Sequence, residues 1–178
     1  MKKVILKCKL TNHDSFEQKL SDIDLDFSPI YWQHDRIYVP RNYRPNANFP
    51  KLIMRTEMQS VDKPAKYYFI LKRHIEDSGV DIIEITQVTD YEKLVNIILQ
   101  LGFEPKAEVS RRRQELKMGE GTTIYLDKVD NLPGYYAKIE SDLQTTDSVE
   151  AAKEDLEKTF RTLGESNFVN APYSEITN

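Results

Sequence analysis

The stretch KKVILKCKL, residues 2–10, alternates its side chains with a period of two. Successive side chains of a strand point to opposite faces, so Val4, Leu6, Cys8 and Leu10 share one face and Lys3, Ile5, Lys7 and Lys9 share the other. The fold turns on what the lysine face meets. If it meets water, the segment belongs to an open antiparallel sheet with one wet face. If it meets the inside of a closed cylinder, the apolar face lies outward under helices and the ammonium groups line a lumen.

The same patterning recurs along the chain. Strand signals, meaning β-branched or aromatic enrichment with alternation, cover about residues 3–11, 29–39, 51–60, 67–74, 81–88, 108–117, 122–129 and 134–141. In EVSRRRQEL Val109, Arg111, Arg113 and Glu115 fall on one face, and in KLIMRTEM Ile53, Arg55 and Glu57 do so. GYYAKIES sets Tyr136, Lys138 and Glu140 against Tyr135, Ala137 and Ile139, while TTIYLDKV sets Thr123, Tyr125 and Asp127 against Ile124 and Leu126. Lys72 shares a face with Tyr68 and Ile70, and DIIEITQV adds Glu84.

Three helices are predicted, each opened by a capping Asp or Thr three residues before a Glu: DSFE (14–17), TDYE (89–92) and DSVE (147–150). Gly102 and Gly164 follow the second and third helices where a left-handed cap belongs. Ala152, Leu156, Phe160 and Leu163 form one helical stripe suited to packing on a sheet. GEG (119–121) predicts a hairpin, and LPG (132–134) a type II turn centred on Pro133 and Gly134. The Pro- and Asn-rich segment 40–50 is a long loop. One antiparallel-rich α+β domain over 1–164 is expected, followed by a tail, 165–178, whose APYSEI offers a Tyr and an Ile able to dock on it.

Composition narrows the function classes. With 39% hydrophobic and 30% charged residues the chain reads as a globular protein. Its longest apolar runs, YYFIL and VNIIL, are far too short to span a bilayer. No basic and then apolar leader pattern opens the sequence, and the one cysteine, Cys8, has no partner for an intramolecular disulfide, so a cytoplasmic location is expected. A net charge of −4 argues against general nucleic-acid binding, yet an acidic shell can hide a basic pocket.

In the barrel alternative, Lys7, Arg55, Lys72, Arg111 and Arg113 cannot be left without counter-charge, because unpaired buried cations are very costly. The lumen then needs carboxylates, a polyanion such as a triphosphate, or both.

The residues in order resemble the CYTH superfamily, the triphosphate tunnel metalloenzymes, which include class IV adenylyl cyclases and thiamine- and inorganic-triphosphatases. QHDRIY (33–38) is similar to the family's Q-x-D-x-Y/F strand, and LIMRTEM (52–58) to its L-R-x-R strand at the second arginine, Arg55. FILKRH matches the strand of the tunnel lysine at Lys72, and IIEITQVTD the Glu-bearing strand at Glu84. VSRRRQEL fits V-x-K-x-R at Arg111 and Arg113, and IYLDKVDNLPGYYAKIE resembles the closing segment with Asp127 and Glu140. The resemblance runs over about residues 2–163 and implies an eight-stranded antiparallel β-barrel, a tunnel with helices packed outside. It also implies basic residues gripping phosphates and carboxylates holding Mg²⁺ or Mn²⁺.

The chain departs from the family where metal is concerned. The E-x-E-x-K signature reads Lys3-x-Ile5-x-Lys7, the closing E-x-E reads Lys138-x-Glu140, and Ile53 replaces the first arginine of L-R-x-R. The cations Lys7, Arg55, Lys72, Arg111 and Arg113 remain, joined by Lys3 and Lys138, whereas Glu140, Glu84, Asp127 and Glu57 are what is left to hold a metal. The expectation is a tunnel that binds a nucleotide or another triphosphate-like polyanion, as monomer or homodimer and away from membranes, with metal-dependent catalysis reduced or altered. Two alternatives stay open: a working class IV cyclase or triphosphatase, and a barrel that serves as a scaffold for a protein partner. No catalytic residue is assigned. His13, His34 and His74 have no metal-ligand spacing, and Trp32 is expected in the core or on the barrel exterior.

Overall fold

The computed structural model describes residues 1–44, 49–75, 80–119, 121–144 and 148–176. Eight strands form the frame: β1 (Lys2–Lys9), β2 (Tyr31–Pro40), β3 (Lys51–Met58), β4 (Lys66–Ile75), β5 (Val80–Val88), β6 (Phe103–Lys117), β7 (Thr122–Val129) and β8 (Tyr136–Asp142). Four helices accompany them: α1 (His13–Ser21), α2 (Tyr91–Gln100), α3 (Val149–Thr162) and the single-turn α4 (Tyr173–Ile176). The strands close into an antiparallel barrel in the order β1-β5-β4-β3-β2-β6-β7-β8, a mixed α+β fold. β1 is the seam, paired with β5 through Lys3 and Asp81 and with β8 through Lys7 and Lys138. Closure leaves no unpaired edge strand.

Residues opposite one another on a ladder point to the same face, so the registers fix the inside of the cylinder. The pairs Lys7–Lys138, Lys138–Tyr125, Asp127–Arg113, Arg111–Gln33, Asp35–Arg55 and Arg55–Tyr68 run around the barrel without a change of face. The lysine side of the opening strand therefore faces inward. Its other side, Val4, Cys8 and Leu10, joins Phe16 and Leu20 of α1 and Leu156 and Phe160 of α3 in the main core outside the barrel wall. α2 covers the wall on another side, with Val95 and Ile98 against Tyr38, Leu52 and Met54. The apolar layer between wall and helices holds the shape, which frees the interior for polar chemistry.

Helix starts differ in detail from the predicted ones. The caps are Asn12, Asp90 and Ser148, whose side chains accept from the Ser15, Lys93 and Ala151 amides. Asp14 and Thr89 do not cap, and Asp147 lies outside the described residues. Each start holds several side chains able to cap, and only the backbone geometry selects one. Gly102 and Gly164 do follow α2 and α3 with positive φ, and Gly134 takes φ 82 as a type II turn requires. The GEG hairpin and the 40–50 loop fall partly outside the described residues, at 120 and 45–48.

After α3 the chain crosses one end of the barrel. The Lys9 amide donates to the Asn167 carbonyl and the Val169 amide to the Lys7 carbonyl, both at 2.9 Å, with Cys8 bridged to Phe168. Tyr173 and Ile176 then enter a small apolar cluster with Val109, Val129, Leu132 and Tyr136. Val109, Val129 and Tyr136 face the lumen, so α4 seals this end. At the other end Lys66, Ile85 and Gln87 are exposed.

Candidate functional site

The inward faces bring five of the predicted phosphate-gripping cations, Lys7, Arg55, Lys72, Arg111 and Arg113, into one lumen together with Lys3 and Lys138. Arg111 and Arg113 are 6% and 3% exposed. Their carboxylate partners come from neighbouring strands. Asp35 of β2 accepts from Arg55 at 2.6 and 2.9 Å and from Arg111 at 2.6 Å, so one carboxylate holds two guanidinium groups. Gln33 adds its amide oxygen to Arg111 at 3.0 Å. Arg113 grips Asp127 through two bonds of 2.6 and 2.7 Å, and the Tyr173 hydroxyl donates to the same carboxylate at 3.1 Å. Two-pronged Arg–carboxylate bonds of this kind are among the stronger polar contacts in proteins.

A second shared carboxylate sits nearby. Glu140 accepts from Lys138 at 2.5 Å through Oε1 and from Lys3 at 3.2 Å through Oε2. Lys3 also approaches Asp142 Oδ1 at 3.5 Å. Tyr125 meets two cations, with the Arg113 guanidinium 4.3 Å and the Lys138 ammonium 4.4 Å from its ring centre. Lys72 pairs with Asp81 at 2.7 Å, where His74 also docks at 2.9 Å. Lys7 donates to the Ala171 carbonyl of the tail, and among the described residues no carboxylate lies within ion-pair distance of it.

These contacts set the protonation states. Burial alone would raise the Asp35 carboxyl, but the charges of Arg111 and Arg55 outweigh it and hold it well below the usual carboxylate range. Glu140 is likewise held low, burial being overcome by Lys138 and Lys3. Burial pushes Lys7 down to about 8, with the Lys72 charge adding to the effect. It also pushes Lys138 down, to about 7, against the pull of Glu140. Both lysines are desolvated ammonium groups that an anion would stabilise in the charged form.

The predicted metal-ligand set is altered by the structure. Glu84 does not face the lumen: it is opposite Leu71 on the outer wall, 69% exposed, and pairs with the N-terminal amine at 2.7 Å. The inward carboxylate of β5 is Asp81. Glu57 is inward but accepts from the Gln33 amide, and Glu115 from the Tyr31 hydroxyl. Sequence reasoning passed over Asp35, although it stands in the quoted QHDRIY, and Asp81, which alternates with Ile83 and Ile85. Tyr173 carried no signal for a place beside Asp127. His13 stacks on Tyr135 with ring centres 4.0 Å apart, and Trp32 lies on the barrel exterior, opposite Arg112 and Met58.

A closed eight-stranded tunnel lined by inward Arg and Lys agrees with one family. The CYTH domain model matches residues 1–172. The chain belongs to the CYTH domain family. Among solved structures, the PH1819 protein of Pyrococcus horikoshii superposes with a TM-score of 0.83 at 23% identity, over 98% of this chain and 97% of that one. A Vibrio parahaemolyticus protein proposed to be an adenylate cyclase gives 0.80 at 21% identity, over 98% and 96% of the two chains. HpAC1 of Hippeastrum, a proposed adenylyl cyclase with a dominant triphosphatase activity, gives 0.62 at 17% identity, over 99% and 95%. At these identities the likeness is one of CYTH fold. No curated protein matches the sequence. No helix among the described residues is long and apolar enough to cross a membrane.

Proposed function

We propose that this CYTH protein binds a nucleotide or another triphosphate-like polyanion in its tunnel, with metal-dependent catalysis reduced or altered. One observation carries the reading: Asp35 is shared by Arg55 and Arg111, and Glu140 by Lys3 and Lys138. The Asp35 group leaves a local excess of positive charge where water is largely excluded, whereas at Glu140 the Lys3 ammonium also lies 3.5 Å from Asp142. Such an excess is costly unless an anion completes it, and donors that come from several strands suit an anion with several closely spaced charged groups. The lone cysteine accords with a cytoplasmic setting.

The sharing also supplies a clean test. Arg55→Gln leaves Asp35 paired with Arg111, and Lys3→Gln leaves Glu140 paired with Lys138, so neither fully buried carboxylate is stranded; Lys3→Gln also removes the 3.5 Å contact of the half-buried Asp142. In calorimetric titration with tripolyphosphate, the unaltered chain is expected to bind saturably. Each variant should lose affinity by about tenfold while its unfolding midpoint stays close to the parent's. Absence of heat and of any thermal shift with tripolyphosphate and ATP, with and without Mg²⁺, would overturn the reading.

The second reading is a working cyclase or triphosphatase. It is favoured by Glu57 and Glu115, inward carboxylates bonded to neutral donors. In a cyclase the ribose 3′-hydroxyl attacks the α-phosphorus and expels pyrophosphate; in a triphosphatase water attacks the terminal phosphorus. Turnover of ATP or tripolyphosphate with Mn²⁺ at ordinary enzyme rates, abolished by Glu140→Ala, selects it over the binder.

A further inference from the structure

We propose that the tunnel takes its polyphosphate in the metal-free form, with the Lys3 and Lys138 ammonium groups supplying beside Glu140 the positive charge that a divalent ion supplies in metal-dependent relatives. The inference rests on the polyanion reading above and specifies the form of its ligand.

The donor set does not fit a divalent metal. A cation of that kind needs carboxylate oxygens with free lone pairs, usually one or two carboxylates plus phosphates and water. Both oxygens of Glu140 are engaged by ammonium groups, at 2.5 and 3.2 Å, and the residue is buried. A metal ion approaching it would meet two positive charges before it met an oxygen. Asp127 is fully enclosed by Arg113 and Tyr173, and Asp35 by two arginines. Asp81 is held by Lys72 and His74. Glu57 and Glu115 accept from neutral donors, and the inward Asp142 has a buried Oδ1 without a hydrogen bond but 3.5 Å from the Lys3 ammonium; among the described residues none of the three gathers with two further ligands. Among the described residues the one trio of metal-ligating side chains with atoms within 4.8 Å of one another is His13, Asp14 and Glu17, at the start of α1 outside the barrel.

The lumen instead offers fixed cations. Lys3 and Lys138 flank Glu140, Arg113 and Lys138 both approach the Tyr125 ring, and among the described residues Lys7 has a backbone carbonyl as its one hydrogen-bond acceptor. Polyphosphate oxygens compete well for such ammonium groups, because each new N⁺–H···O⁻ contact replaces a shared one. A Mg²⁺ ion on the ligand would mask the oxygens these residues need and bring positive charge towards positive charge.

The test titrates the full chain with tripolyphosphate, once with EDTA and once with excess Mg²⁺. Binding about tenfold tighter in EDTA is expected. The double variant Lys3→Glu/Lys138→Glu is expected to reverse the preference and bind only with Mg²⁺. Should that variant fail to fold, tripolyphosphate can be titrated into wild-type protein containing Mn²⁺, with water-proton relaxation reporting where the metal goes. Release of ligand as Mn²⁺ is added supports the proposal. Binding that needs Mg²⁺ in the wild type, or a relaxation enhancement showing a protein–Mn²⁺–ligand complex, overturns it and leaves the polyanion reading standing. No binding under either condition overturns both.

Discussion

Lys7 is a partly buried ammonium group whose acceptor is the Ala171 carbonyl, with Lys72 as a nearby like charge. Burial first, and Lys72 second, bring it down to about 8 from 10.5. The unfolded chain holds that proton more tightly, so between about pH 8 and 10.5 the unfolded state carries more protons and stability rises with pH. Below that window the full cost of burying the charge is present, and above it the cost is gone. The unfolding free energy of wild type relative to Lys7→Met should therefore increase through the window in urea titrations. A difference that stays flat would remove the burial effect. Nothing in KKVILKCKL distinguishes Lys7 from Lys3 in this respect. Lys3 finds Glu140 and has its proton held more firmly, since its carboxylate contacts overcome burial.

Among the elements, α4 is too short to be stable by itself, and its place depends on Tyr173. The ring packs edge-on against Tyr136 with centres 5.5 Å apart, and the hydroxyl reaches Asp127. Tyr173→Phe keeps the packing and leaves Asp127 with both Arg113 bonds, so a loss of about 1 kcal/mol is expected. Tyr173→Ala opens a cavity in the sealing cluster as well, with an expected loss of about 3–5 kcal/mol. Equal losses for the two variants, measured by equilibrium urea unfolding, would show that the ring contributes nothing. The helix stops at Gly102 and Gly164 were legible because few residues tolerate positive φ there. The caps were legible only to within two residues, because Asn12, Asp14 and Ser15 crowd one start and all three side chains can cap.

For the whole molecule, closure sets the folding problem. β1 pairs with both β5 and β8, joining Lys3 to Asp81 and to Asp142. Few of these contacts are local, and loop-closure entropy must be overcome before the seam forms. Refolding on the order of milliseconds to seconds is expected, followed by far-UV circular dichroism, because Trp32 sits on the barrel exterior and is 44% exposed. Microsecond refolding would mean that the seam does not limit the rate.

The sequence by itself determined eight alternating segments, each with an apolar and a charged face; alternation left an open sheet and a barrel both standing, and closure was implied only by the resemblance to the CYTH family. Period-two patterning records which face is greasy, and the face of Arg111 and Arg113 could be read directly. It could not settle β5, where Asp81, Ile83 and Ile85 compete with Ile82, Glu84 and Val88; each set holds a carboxylate and apolar residues. Only pairing with β1 and β4 turned Asp81 inward and Glu84 to the outer wall. The sharing of Asp35 and Glu140 between two cations each, and the reach of Tyr173 to Asp127, were decided by tertiary structure alone. They depend on register between strands far apart in sequence, and electrostatic partnership is set by distance in space, which alternation along one strand does not encode.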